Sequence, residues 1–255
     1  MIASTILFGL LSLTAASPVS TRAGKTKYPE TETSKGFKLV VNVTDPSRDF
    51  KPSIQNTFVT SIHTGAGLAL VGVIAGDGRI FYQNGTEKEQ EDSRATIITD
   101  GGTPLTPSGL KLTQDSKSKT LSTAHLDFGL GTPGVQLSSS KTYSFVLPET
   151  YLACNESLAY YQGQYFITIK QAKITKHKDG STSRNIPKHC IPVRLVPECA
   201  ELESLPKGSY SSHNSAIKPP GSYVCVAVWC SLGSVLSSNP TFATEKKDID
   251  PLASN

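Results

Sequence analysis

Charge, catalytic signatures and long apolar runs are what this sequence has least of. Only 18 % of the 255 residues are charged and 37 % are hydrophobic. The formal net charge of +4 makes no case for nucleic-acid binding. Beyond the first 16 residues, no stretch approaches the roughly 20 apolar residues that cross a bilayer, so no transmembrane segment is expected. The end, Lys246 to Asn255, is polar and offers no apolar tail for a glycolipid anchor. There is no Cys-x-x-Cys, no Gly-x-Ser-x-Gly, no His-Glu-x-x-His and no P-loop. No metal ligand set, cofactor or catalytic residue is therefore assigned. No internal repeat is present. Ala200 to Leu205 could form one helical turn, and no other stretch supports a helix of ordinary length.

What is present points outward from the cell. Met1 to Ala16 resemble a secretory signal peptide, with an uncharged apolar core from Ile2 to Leu13 and small residues at Thr14-Ala15-Ala16. Cleavage after Ala16 is expected, since a cut one residue later would leave Pro18 next to it; the basic residue usual near Met1 is missing. Asn42-Val-Thr44, Asn84-Gly-Thr86 and Asn155-Glu-Ser157 are acceptor sequons for N-glycosylation. The five cysteines, Cys154, Cys190, Cys199, Cys225 and Cys230, all fall in the second half. In an oxidising compartment an odd count predicts two bridges and one thiol left over, or an intermolecular bond.

The periodicity is that of strands. Phe37, Leu39, Val41 and Val43 alternate with Lys38 and Asn42, which puts an Asn42 glycan on the outer face. Leu68 to Ile74 is apolar on both faces and reads as central. Gly76-Asp-Gly78 before Ile80-Phe-Tyr82 is a hairpin signal. Further strands are expected near Thr57 to His63, Ala95 to Thr99, Leu110 to Leu112, Ala124 to Phe128, Thr142 to Leu147, Tyr151 to Cys154, Tyr165 to Ile169 and Ile191 to Val196. Pro192 marks the last as an edge or a strand start. Short strands about ten residues apart, with turn residues between them, indicate an all-β fold, an antiparallel β-sandwich containing disulfides. The expected organisation is a signal peptide (1–16), a flexible N-terminal segment (17–35), one sandwich domain (36–236) and a flexible C-terminal tail (237–255).

Ser222-Tyr-Val-Cys-Val-Ala-Val-Trp-Cys230 is the most apolar strand candidate and holds the only tryptophan. If it is straight, Cys225 and Cys230 lie about 16 Å apart at ~3.3 Å per residue and face opposite ways. A bridge needs Cα atoms within about 7 Å, so these two cannot pair. Cys190 and Cys199 flank an extended run and are poor partners too. The economical solution joins Cys225 or Cys230 to Cys154, Cys190 or Cys199, which by loop entropy is worth roughly 3 kcal/mol.

Candidate chemistry is sparse. His125 and Asp127 share a strand face and could serve a hydrolytic site; without a nucleophile motif we read them as solvent-facing. The glycines of His63-Thr-Gly-Ala-Gly67 suit a tight loop better than an anion cradle, because a strand follows rather than a helix. Glu87 to Asp92 reads as a solvated loop. Lys170 to Lys188 is basic and could meet an anionic polysaccharide, but lacks the interleaved aromatics of a nucleic-acid site. Tyr151, Tyr160, Tyr161, Tyr165 and Phe166 form the densest aromatic group. They are read as hairpin packing, with sugar stacking as the alternative.

Phe37-Lys-Leu-Val, Val43-Thr-Asp-Pro-Ser-Arg48, the segment from Ser53 through His63-Thr-Gly-Ala-Gly67, Tyr151-Leu-Ala-Cys154 and Val193-Arg-Leu-Val-Pro-Glu-Cys199 carry a resemblance. The chain resembles a family of small secreted ascomycete fungal proteins known as a domain of unknown function, over residues 36 to 236. The resemblance implies export and a β fold, and transfers no catalytic residue. The expected function is that of a secreted, N-glycosylated, non-catalytic protein, extracellular or cell-wall associated. Its expected partner is a cell-wall polysaccharide or a host extracellular molecule. The alternative is a secreted hydrolase with an unfamiliar site around His125 and Asp127.

Overall fold

The computed structural model describes residues 31–32, 34–139 and 144–217, with the backbone of 225–226. The signal-like start, Trp229, Cys230 and the tail lie outside the described residues. Nearly every element is a strand: β1 (Thr31–Glu32), β2 (Gly36–Val43), β3 (Phe58–Gly65), β4 (Leu68–Ile74), β5 (Ile80–Asn84), β6 (Thr96–Gly101), β7 (Thr106–Gln114) and β8 (Leu121–Phe128). There follow β9 (Tyr151–Leu158), β10 (Gln164–Ala172), β11 (Ile174–Lys176), β12 (Thr182–Arg184), β13 (Cys190–Ala200) and β14 (Cys225–Val226). One short helix, α1 (Glu87–Glu91), and two 3-10 turns complete the set.

β2 shows why these residues make this fold. Phe37, Leu39, Val41 and Val43 all turn inward, at 0–7 % exposure. Each such side chain is worth about 1.5–3 kcal/mol of burial. β2 pairs with β13 along its whole length, from Gly36 opposite Ala200 to Val43 opposite Val193. On its other side it meets β5 from Gly36 to Lys38, then β3 at Val40. The sheet therefore forks at β2. It forks again at β10, which has β9 on one side and, on the other, first β4 at Thr168 and then β8 from Lys170 to Ala172. Between the forks, β2, β13, β9 and β10 make one wall, and β5 to β8 make the other. The β3–β4 hairpin closes one side through Leu70 opposite His125. The result is a sandwich-like, antiparallel β structure whose core gathers inner-face residues of both walls, including Ile97, Leu110, Leu126, Ala153, Ile169 and Leu195.

The wall strands are covered outside as well. Leu152, Cys154 and Cys190 pack with Leu121 and Ala172 on the outer face. Cys154 and Cys190 are directly opposite in the β9–β13 ladder and form a disulfide, with Cα atoms 4.0 Å apart. The neighbouring bond from Asn155 N–H to His189 O shows that the cysteines occupy a non-hydrogen-bonded pair, where strands approach most closely. Cys199 is disulfide-bonded too. β14 runs beside β13 with Val226 opposite Glu198.

Several sequence expectations need correction. Gly76-Asp-Gly78 does not make a hairpin: β5 pairs with β2 and β6, because the free edge of β4 is already taken by β10 and β8. Leu68 and Ile74, at the ends of the supposedly central β4, are exposed. Glu87–Glu91 is helical rather than a loop; Thr86 and Glu89 form a reciprocal capping box that satisfies the first N–H groups. Ala200 to Leu205 makes no helical turn. β13 is interior despite Pro192. Pro192 lies near the strand's start, opposite Thr44 just past the end of the β2 ladder: its carbonyl accepts the Thr44 N–H, and only the return bond to the Thr44 carbonyl is forgone. Of Thr142 to Leu147, the described part makes only a bridge, Leu137 to Val146.

Candidate functional site

The inner-face rows of five strands change character at one end of the core. In β3 the row runs Val59, Ser61, His63; in β6, Ile97, Thr99, Gly101; in β7, Leu110, Ser108. β4 and β8 contribute Ala69 and then Leu126 and Phe128. Apolar side chains give way to hydroxyls and glycine, and a pocket of about 200 Å³ opens there. The ring of Phe128 is its lip. It rests against Gly67 and Gly102, where an added Cβ would come within 2.9 and 3.1 Å of the ring. Both glycines also hold positive φ, +69° and +80°, which the β3–β4 and β6–β7 turns require.

Arg79 crosses the floor. Its Nε donates to Thr99 Oγ1 at 3.3 Å, Nη1 to Ser61 Oγ at 3.0 Å, and Nη2 to the Asp100 carbonyl. Burial pulls its guanidinium below the ordinary arginine range, and the charge of Asp100 only partly opposes this. The Asp100 carboxylate points elsewhere, into a second hollow of about 440 Å³ beyond Arg79 and Thr99. There Asp100 Oδ2 lies 2.7 Å from His213 Nε2, and the His213 ring meets Tyr82 edge-on at 4.9 Å. Burial, with the Asp100 charge, drives the Tyr82 phenol well up from its ordinary value.

The rim of the first pocket continues into an aromatic surface. His63 meets Tyr160 edge-on at 5.7 Å, Tyr160 meets Tyr161 at 5.2 Å, and Tyr161 leans on Phe166 at 4.7 Å. The Tyr161 hydroxyl donates to the His63 carbonyl at 2.9 Å and ties the 3-10 turn after β9 to β3. Tyr160, Tyr161 and Phe166 pack on one another within the β9–β10 hairpin, while Tyr160 at 56 % and Tyr165 at 68 % exposure are also open to solvent. Tyr151, grouped with them in sequence, is instead wholly buried in the core.

The other sequence candidates fall elsewhere. His125 and Asp127 are half-buried, not solvent-facing, with Nδ1 and Oδ1 3.9 Å apart. Asp127 accepts the Ala69 N–H at 3.3 Å and so holds β4 to β8. Burial keeps the His125 imidazolium below the ordinary histidine range, against the pull of Asp127. Of the glycines in His63 to Gly67, Gly67 seats Phe128, whereas Gly65 neighbours Leu68. Lys170 is not part of a free basic face: it lies buried between Asp115 at 2.5 Å and Glu156 at 3.0 Å. Lys176, Lys178 and Arg184 are exposed on and around the β11–β12 hairpin. Cys154, Cys190 and His189 come close enough to suggest metal ligands, but the two sulfurs are spent on their own bond. Of the sequon asparagines, Asn155 is exposed, whereas Asn42 and Asn84 are half-buried.

Arg79, Thr99, Ser108 and the Asp100–His213 pair escaped the sequence reading. A signal for the hydroxyls existed: Thr99 and Ser108 continue apolar alternation with a polar residue on the inward phase. Nothing local marks Arg79 or His213, whose partners lie 20 and 113 residues away.

No solved structure matches the chain. A protein of Stachybotrys chartarum named "Antigenic protein SchS34" is 56 % identical over 202 residues, covering 79 % of this chain and 91 % of that protein. The family model that matches, over residues 34–199, is described as a domain of unknown function (DUF7907). That span takes in the pocket, its aromatic rim and the Cys154–Cys190 bond, and the chain belongs to this family.

Proposed function

We propose that the protein is secreted, N-glycosylated and non-catalytic, and binds extracellular carbohydrate in the Phe128 pocket. The observation that carries this reading is the make-up of the site. Sugar rings present apolar C–H faces and a girdle of hydroxyls. The pocket answers with a ring and aliphatic rim, Phe128 and Leu68, and a floor of Ser61, Thr99 and Ser108. Exposed Tyr160, edge-on to His63 at the rim, extends the stacking surface for further sugar units. The signal-like start, the sequons and the disulfides support an extracellular setting. A relative named for antigenicity suits a protein encountered outside the fungus. Asn155, the exposed sequon, is the best-placed glycan carrier.

The test is a glycan array together with a pull-down on fungal wall material, repeated with Phe128→Ala. Binding is expected, and should weaken about tenfold or more in the variant, the loss of one buried aromatic contact. Signals at background on both the array and the wall would remove the carbohydrate reading.

A further inference from the structure

The Arg79 guanidinium has an unusual electrostatic position. It offers five N–H donors. Three are used, and all three acceptors are neutral: the hydroxyls of Thr99 and Ser61 and the carbonyl of Asp100. The two remaining N–H groups, one on each terminal nitrogen, have no acceptor among the described residues. No carboxylate lies within ion-pair distance of the guanidinium among those residues either. The nearest, that of Asp100, is turned into the second hollow and held by His213. A half-buried cation served only by neutral acceptors is under-compensated.

The space beside it is shaped for a small group. Gly101 leaves room next to Arg79: a Cβ there would lie 3.2 Å from Nη2 and 3.4 Å from Ser108 Oγ. Ser108 is buried, lines the pocket and has no hydrogen-bond partner of its own among the described residues. Two spare guanidinium N–H groups and an unused hydroxyl form a donor set for an oxyanion, and the forked guanidinium suits a carboxylate's two oxygens.

Building on the carbohydrate reading, we infer that the pocket selects an acidic sugar, with a uronic-acid carboxylate on Arg79 and Ser108 and the sugar ring against Phe128. Neutral sugars would fill the same space but leave the cation uncompensated.

A matched pair of ligands tests this. Oligogalacturonate and its carboxyl-reduced, neutral counterpart are titrated calorimetrically into the intact protein and into Arg79→Gln, Ser108→Ala and Phe128→Ala. The acidic form should bind at least about tenfold tighter than the reduced form, in line with a charge-assisted contact. Arg79→Gln should erase that preference, the acidic form binding no tighter than the reduced form measured on the same folded variant. Ser108→Ala, which touches none of the Arg79 bonds and keeps the inference testable if Arg79→Gln unfolds, should narrow the preference several-fold. Phe128→Ala should weaken both ligands alike. Equal affinity for the two forms, or a preference that survives Arg79→Gln in folded protein, overturns the inference and leaves carbohydrate binding intact. Binding of neither ligand, together with a blank array and wall pull-down, overturns both.

Discussion

Lys170 lies deep in the wall with its ammonium between Asp115 and Glu156, and Glu156 is steadied by Thr168 Oγ1 at 2.6 Å. Burial alone would lower the lysine's affinity for its proton, but the two carboxylates outweigh it and the net shift is upward. Asp115 moves the other way, held below the ordinary aspartate range by the hydrogen bond from Lys170. Lys170→Met leaves two carboxylates facing each other with no cation, and should cost about 3–5 kcal/mol in reversible denaturation near neutral pH. The sign with pH follows from the shifts. A depressed aspartate stabilises the fold above its ordinary value, and that contribution is lost as pH falls through the lower folded value. A raised lysine stabilises below its ordinary value and loses that as pH rises through the higher folded one. The gap between wild type and variant should therefore be widest at neutral pH and close in acid below the ordinary aspartate range. A gap that stays constant down to pH ~2 would show that packing, not charge, is at stake.

At the scale of elements, β7 is placed by one close approach. Gly109 sits opposite Ile98 on one side and Asp127 on the other, and the loop after β8 passes directly over it. A Cβ there would lie 2.0 Å from the Gly131 backbone nitrogen, and backbone cannot swing aside as a side-chain end can. Gly109→Ala should push the loop off β7 and part the row that leads to Ser108. We expect folding to fail, or the thermal midpoint to fall by at least ~10 °C, a loss of some 3 kcal/mol or more for a domain of this size. A folded variant with an unchanged midpoint would refute the close approach. The strands themselves were legible beforehand. The alternation in β2 predicted its inner face residue by residue. What could not be read was which edge each strand would find. The chain after Gly78 has the local pattern of a hairpin, yet tertiary competition for the edge of β4 sends it to β2.

At the scale of the whole molecule, the segment after β13 acts as a strap over β5 and β6. Ser215 O accepts from Gly85 N–H, Gln83 O from Ile217 N–H, and Leu105 O from Tyr210 and Ser211 N–H. Ala216 seals Tyr82 and Ile98, the outward-facing apolar residues of those strands. His213 is the strap's side-chain anchor, through its bond to Asp100. His213→Ala should free this anchor, cost about 1.5–3 kcal/mol, and make the 201–217 segment markedly more susceptible to limited proteolysis. Cleavage no faster than in the wild type would show that the backbone bonds alone hold the strap.

The sequence by itself determined the strands, their inward faces and the all-β class, because period-two burial and turn chemistry are local properties that neighbouring residues express without help. It also carried the family resemblance. The tertiary structure decided the rest. Lys170 meets a carboxylate 55 residues away, His213 one 113 residues away, and Cys154 finds Cys190 only because β9 and β13 are brought side by side. The pocket is the clearest case. Ser61, Thr99 and Ser108 are unremarkable in their own strands, and Arg79 is a single basic residue after a turn. They become a site because three inner-face rows turn polar at the same end of one core, and a half-buried cation is lodged there among neutral acceptors.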